Sequence, residues 1–170
     1  MFQRVVVPLD GSELAELALP FAEEMSCLTG APIHLVRVVD PAPDGLRVYG
    51  AYVDPNAFAV SEHADRIEAE TYLAGIAKDL IERAFNPSRE VRIGSPTDEV
   101  VRSVKTGDLL VVASHGRAGL PRLVLGSVAE DVVRRSPVPV LLVHSGHETP
   151  ERRGIHSDRR AVVQSNGRRP

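Results

Sequence analysis

One stretch constrains this chain more than any other: residues 108–144, reading DLLVVASHGRAGLPRLVLGSVAEDVVRRSPVPVLLVH. An apolar run from Leu109 to Ala113 leads into a loop holding Gly116, Gly119 and Gly126; a helical pattern opens at Ser127, and a second apolar run extends from Val138 to Val143. The order is strand, glycine loop, helix, strand. A glycine loop that leaves a buried strand and feeds a helix gathers unpaired backbone N–H groups at the positive end of a helix dipole, which is where α/β proteins hold phosphate. A nucleotide site is therefore the first expectation.

The rest of the chain repeats the same alternation. Residues 2–9 form a β-branched run closed by Asp10, Gly11 and Ser12, with Ser12 placed to cap a helix to about Leu28. Its apolar positions Leu14, Leu17, Ala18, Phe21, Met25 and Leu28 recur at three- and four-residue spacing, as for a helix laid on a sheet. Gly30 and Pro32 end it, and a strand at residues 33–39 follows. Residues 40–60 carry three prolines after Asp40 and read as a long irregular loop, a lid or an insertion. A second helix is expected over residues 61–85, with Ile67, Ala74 and Ile81 seven apart and Leu73, Ala77, Leu80 and Ala84 beside them. A short strand at residues 90–93 precedes a third helix, capped by Ser95, carrying Pro96 at its first position and Asp98 as the reciprocal cap. Strands alternating with helices, and no hairpin signal, give an α/β fold with a parallel sheet covered on both faces. Ligands in such sheets bind beyond the C-terminal strand ends, where the strand order reverses. The two site-like exits are Pro8 to Ser12 and Ala113 to Ser127.

Composition narrows the classes. At 170 residues the chain fits a single globular domain, at residues 1–145, with a core of Val, Leu, Ile and Ala, since aromatics are 4% and Trp is absent. The single cysteine, Cys27, excludes an internal disulfide framework, favours a reducing compartment, and is expected in the core on the apolar side of its helix. The N-terminus carries no long apolar stretch and no run approaches the roughly 18 residues of a membrane helix, so a cytoplasmic, non-membrane protein is expected. Net charge is −3, which offers nucleic acid no general attraction. Residues 146–170 hold six Arg against three acidic residues, leaving −6 for residues 1–145; this tail reads as disordered, with a weak polyanion-binding arm as the sharper alternative.

Several chemistries are missing. There is no G-x-x-x-x-G-K-[ST], no G-x-G-x-x-G after the first strand, no G-x-S-x-G and no paired histidine spacing for a metal. What remains is Ala113-x-x-Gly116, nine residues, then Gly126-Ser127. Gly116 and Gly126 remove side chains at the strand exit and the helix entrance, so backbone amides at both places have access to a phosphate. Ser127 also heads S-V-A-E, a capping box with Glu130 worth about 0.5–2 kcal/mol. The residues alone leave both readings open: a phosphate cradle or a capped turn. Arg117 and Arg122 read as solvated loop cations, His115 as a structural hydrogen-bonding group, Gly119 as a turn, and Tyr49 and Tyr52 as part of the long loop.

VVVPLDGS, HLVRVVD and the 108–144 segment, in that order, closely resemble the universal stress protein family over about residues 2–144. The ATP-binding members of that family carry G-x2-G-x9-G-[ST], which maps here onto Ala113, Gly116, Gly126 and Ser127. The resemblance implies a doubly wound, Rossmann-like five-stranded parallel sheet of order 3-2-1-4-5. It implies ATP as ligand, with Gly116, Gly126 and Ser127 on the phosphates, the backbone of Val38 at adenine, and Pro8 and Asp10 on the base and ribose side. Asp10 would help hold a divalent ion, Mg2+ or Mn2+. Ala113 is the departure from the pattern. The resemblance also implies a homodimer through the strand from Val138 to Val143, a long apolar edge that needs covering. A stress-response binding module is the expected function. The alternatives are a slow ATPase or autophosphorylating enzyme, and a dimeric interaction protein that has lost nucleotide binding. No nucleophile and general base are paired in sequence, which favours the binding module over the enzyme.

Overall fold

The computed structural model of the chain describes residues 1–41, 55–114 and 127–144, with 55–62 described by backbone alone. Its elements are β1 (Arg4–Pro8), α1 (Glu13–Glu16), α2 (Ala18–Thr29), β2 (Ile33–Val39), α3 (Pro55–Glu82), β3 (Ser88–Ile93), α4 (Pro96–Ser103), β4 (Asp108–Ser114), α5 (Ser127–Arg135) and β5 (Val140–His144). All five strands are parallel, in the order β3-β2-β1-β4-β5, as the resemblance implies. Val5 lies beside Ile33 on one side and Leu109 on the other, so β1 is central.

Successive strand residues point to opposite faces, and both faces are apolar. Val5, Val7, Ile33, Leu35, Leu109 and Val111 pack against α2 and α3 through Ala18, Leu19, Ala22, Leu73, Ala77 and Leu80. Val6, Val36, Leu110 and Val112 pack against α4 and α5 through Val100, Ala129 and Val132. The result is three layers, with α1, α2 and α3 on one side and α4 and α5 on the other.

Several expected boundaries and faces change. The single helix from Ser12 to Leu28 is broken at Leu17, because Pro20 has no N–H to donate to the carbonyl of Glu16 and its ring crowds that group. The break re-aims the helix. Ala18, Leu19, Ala22 and Ser26 become its buried row, while Leu28 is 69% exposed and Cys27 is half-buried instead of core. Helix α3 starts at Pro55, so residues 55–60 of the expected loop are helical; proline's fixed φ suits a first helical position. The remainder of that loop, including Tyr49 and Tyr52, lies outside the described residues. The seven-residue spacing in α3 misleads, since Ile67 and Ile81 are exposed and the buried row is Ala69, Leu73, Ala77 and Leu80. Two leucines fill the space over the sheet and two alanines let the helix approach it. The helix ends at Glu82 and not Phe85: Ala84 turns left-handed at φ +64°, and Pro87 disfavours a helical residue before it.

Smaller corrections have equally local causes. Ser95 has the extended backbone of a cap, yet its hydroxyl makes no capping bond, and Asp98 reaches Arg135 of α5 at 2.6 Å instead. Strand β1 is shorter than the run at 2–9 and β3 is longer than 90–93. Strand β5 begins at Val140 and not Val138, because Pro139 has no N–H for the ladder, although its carbonyl accepts from Leu110 N at 3.0 Å.

Polar groups cluster at the N-terminal strand ends. Asp108, only 1% exposed, accepts from Arg4 Nε at 3.1 Å, from Arg4 Nη2 at 2.5 Å and from the amide of Lys105 at 2.7 Å. Burial works against its carboxylate, but the Arg4 and Lys105 bonds outweigh it and hold the pKa below the ordinary value. Beside it the buried His34 places Nδ1 2.8 Å from Ser88 Oγ and Nε2 3.4 Å from Glu90 Oε2. Burial, reinforced by the charge of Arg4, lowers the His34 pKa against the partial pull of Glu90.

Two stability predictions follow from these environments. With its folded pKa below the ordinary 6.5, His34 stays neutral in the fold while the unfolded chain takes up a proton. Stability should therefore fall as pH drops through 6.5 and level off below the folded pKa, and His34→Asn should flatten the melting temperature between about pH 7 and pH 5. An unchanged slope in the variant contradicts that assignment. Ala84→Gly should raise unfolding free energy by about 1 kcal/mol in a urea titration by relieving the left-handed alanine, whereas a loss of stability would argue against the strain.

Candidate functional site

From β1 the chain moves outward through β2 to β3, then returns past β1 to lay down β4 and β5 on the other side. The connections leaving β1 and β4 therefore depart to opposite sides and leave a crevice at the C-terminal ends of these strands. A cleft of ≈ 310 Å³ lies there, on the α4 and α5 face. Its floor is Val36, Val38 and Val112 of the sheet; Pro96, Val100, Ala129 and Val132 of the two helices form its wall. The polar side chains at its margin are Asp10, Ser114 and Ser127.

Five of the seven residues singled out in the sequence, Pro8, Asp10, Val38, Ala113 and Ser127, line this one cleft. Gly116 and Gly126 lie outside the described residues, as do His115, Arg117, Gly119 and Arg122.

The Asp10 turn is built by short-range bonds. Leu9 N donates to Val36 O at 2.8 Å and extends the β1–β2 ladder one residue past β1. The chain then turns at Gly11, whose φ of +88° is left-handed. Asp10 Oδ1 accepts from the amide of Ser12 at 2.9 Å and from its hydroxyl at 2.6 Å, while Ser12 Oγ accepts from Ala15 N at 3.2 Å and caps α1. The exposed Asp10 carboxylate is thereby fixed at the cleft margin. Among the described residues no group of three His, Cys, Asp or Glu side chains could hold a metal ion. Asp10 alone suits an ion of the Mg2+ kind, which keeps waters and is usually carried by one or two carboxylates plus substrate phosphates.

Ala113 sits in a strand whose neighbours Val112 and Ser114 face the cleft. Its methyl packs instead against the core under α2, so what it offers the cleft is main chain. Helix α5 starts at Ser127 itself, one residue before a Ser127 cap would allow, and Glu130 is bonded to Arg134 at 2.8 Å. That (i, i+4) ion pair takes the carboxylate that the expected capping box would use.

Ser114 was not legible as a site residue. It closes β4, is 1% exposed, and its Oγ lies 3.0 Å from Nδ1 of His144, its register partner on β5. Sequence offers no nucleophile beside a base, yet 30 positions of separation collapse to one hydrogen bond here. With Ser114 buried and His144 half-buried, the pair acts as a tie between strands. The only prior signal was that two polar residues each ended an apolar run.

The fold and this crevice define a doubly wound α/β protein with a cleft at the topological switch point. Within that class, the family model described as "Universal stress protein family" matches residues 1–144, and the chain belongs to that family. Universal stress protein MJ0577 of Methanocaldococcus jannaschii is 27% identical over 154 residues, covering 84% of this chain and 95% of that protein. Its solved structure matches with a TM-score of 0.69 at 26% identity, over 87% of this chain and 99% of that one. Universal stress protein MJ0531 of the same organism is 31% identical over 146 residues, covering 84% and 82% of the two chains. A universal stress protein from Archaeoglobus fulgidus, solved in complex with dAMP, shares the fold at 22% identity and a TM-score of 0.57, over 84% of this chain and 98% of that one. No described helix is long and apolar enough to cross a membrane.

Proposed function

We propose that this chain is a cytoplasmic stress-response regulatory protein that binds ATP in the cleft at the C-terminal ends of β1 and β4. The observation that carries the reading is the convergence of Pro8, Asp10, Val38, Ala113 and Ser127 on one cleft from three strands and a helix. The apolar floor of Val36, Val38 and Val112 suits a flat base, with the backbone of Val38 at its edge. Ser127 and the positive end of α5 suit phosphates, together with Gly116 and Gly126. Asp10 then carries a Mg2+ or Mn2+ ion shared with the phosphates. At the level of fold, the dAMP complex of the Archaeoglobus protein supports an adenine nucleotide. The nucleotide-binding domain is residues 1–145, with residues 146–170 as an appended tail.

The assembly we propose is a homodimer through β5. The two sheet edges differ in chemistry. Edge strand β3 carries Arg89, Glu90 and Arg92, charges of the kind that keep an edge from pairing, whereas β5 offers Val140, Leu141 and Leu142.

Protein purified without added nucleotide, then denatured, should release an adenine nucleotide identifiable by mass spectrometry, and the emptied protein should titrate with ATP and Mg2+. Recovery of none, with no heat on titration, contradicts the proposal. Because the Ala113 methyl points to the opposite face, Ala113→Gly should leave ATP affinity within about threefold. A gain beyond about tenfold would show that the methyl crowds the ligand after all.

A further inference from the structure

We propose that Arg37 is the positioning residue of the Asp10 turn, the group that holds the Asp10 carboxylate where a ligand in the cleft meets it; the ligand half of this inference rests on the nucleotide reading above. Strand β2 sends Val36 and Val38 toward the cleft, so Arg37 between them points to the α3 side. There its side chain is only 16% exposed. A cation so far out of water needs partners, and three surround it.

The first is Tyr72 of α3, whose ring centroid is 4.9 Å from the guanidinium carbon. The second is Glu68 Oε1 at 3.3 Å, but that carboxylate is 73% exposed, so the pair adds little. The third is the Asp10 turn itself. Because Leu9 N bonds Val36 O, the chain crosses directly beside residue 37, and Gly11 rests on the guanidinium. A Cβ at Gly11 would lie 3.1 Å from Arg37 Nη1, and the φ of +88° already disfavours any other residue. The backbone angle is what calls for glycine here, and any side chain added would also press on the Arg37 guanidinium.

The support is closed on its far side. Tyr72 donates its hydroxyl to Glu16 of α1 at 2.8 Å, so the ring beneath Arg37 is tied to the helix that the same turn initiates. On the near side, Asp10 Oδ1 is bound by the amide and hydroxyl of Ser12. With both ends fixed, the height of the turn over Arg37 sets the position of the carboxylate. Arg37 itself does not line the cleft.

The test uses the full chain with Arg37→Ala, Arg37→Lys and, as a control, Arg83→Ala, which removes a 2.5 Å ion pair between Glu23 of α2 and the residue that follows α3, away from the turn. Two quantities are read at a temperature where all variants are folded: the resonance and hydrogen exchange of the Ser12 amide without ligand, and the affinity for ATP with Mg2+ by calorimetry. Arg37→Ala should shift the Ser12 resonance, speed its exchange and weaken ATP roughly tenfold or more, as loss of a supporting residue typically does. Arg37→Lys should fall between, since an ammonium lacks the planar surface that stacks on Tyr72. Arg83→Ala should match the wild type in both. An unmoved Ser12 amide, an unchanged affinity in Arg37→Ala, or an equal loss in Arg83→Ala overturns the proposal. A wild-type protein that binds no ATP overturns the nucleotide reading instead, and the Ser12 amide then decides alone whether Arg37 holds the turn.

Discussion

The pairing of β1 with β4 is the contact on which the rest depends. It brings together segments about a hundred residues apart, and Arg4 and Asp108, register partners at its start, are joined by two hydrogen bonds. Removing one partner of such a pair leaves an uncompensated charge and typically costs about 3–5 kcal/mol. The pair therefore penalises a slipped register, which would also exchange the buried faces of β1. Burial of Asp108 at 1% exposure is tolerated because Arg4 and the Lys105 amide satisfy it.

The same two strands, followed to their other ends, open the cleft. In a parallel sheet all C-terminal ends lie together, and the reversal at β1 separates the connections only between β1 and β4. Structure and site are thus divided along the strands. Arg4, His34 and Asp108 tie the N-terminal ends, while Asp10, Ala113 and Ser127 are presented at the C-terminal ends. The faces are divided too. Val36 and Val38 of β2 belong to the cleft floor, whereas Arg37 between them turns away to support the adjoining loop.

Much of this was legible because strands buried on both sides are written as apolar runs, as in β1 and β4, and five strands with helices between them, the charged edge strand β3 among them, leave few topologies. The strand order itself came from the family resemblance. Local chemistry placed Ser12 at its cap and Gly30 past its helix. What failed was orientation. Pro20 broke a helix whose periodicity looked continuous, and the spacing of Ile67, Ala74 and Ile81 described a face that the sheet does not touch. A periodic pattern names a stripe, but the packing partner decides how the helix is rotated onto it. The long-range polar contacts were out of reach for a different reason. Arg4 with Asp108 and Ser114 with His144 are joined by strand register, and Arg37 with Gly11 by the turn that follows β1, neither of which a local pattern encodes.

Ligand binding, as we propose it, belongs to the C-terminal ends of β1 and β4 and leaves the opposite ends untouched. Amide chemical shifts recorded while ATP and Mg2+ are titrated into the full chain test it most directly. The account predicts saturable shifts at Asp10, Val38, Ala113 and Ser127, with Arg4, His34 and Asp108 still. Shifts centred on the Arg4–Asp108 end or on edge strand β3, or no saturable shift at all, would contradict it.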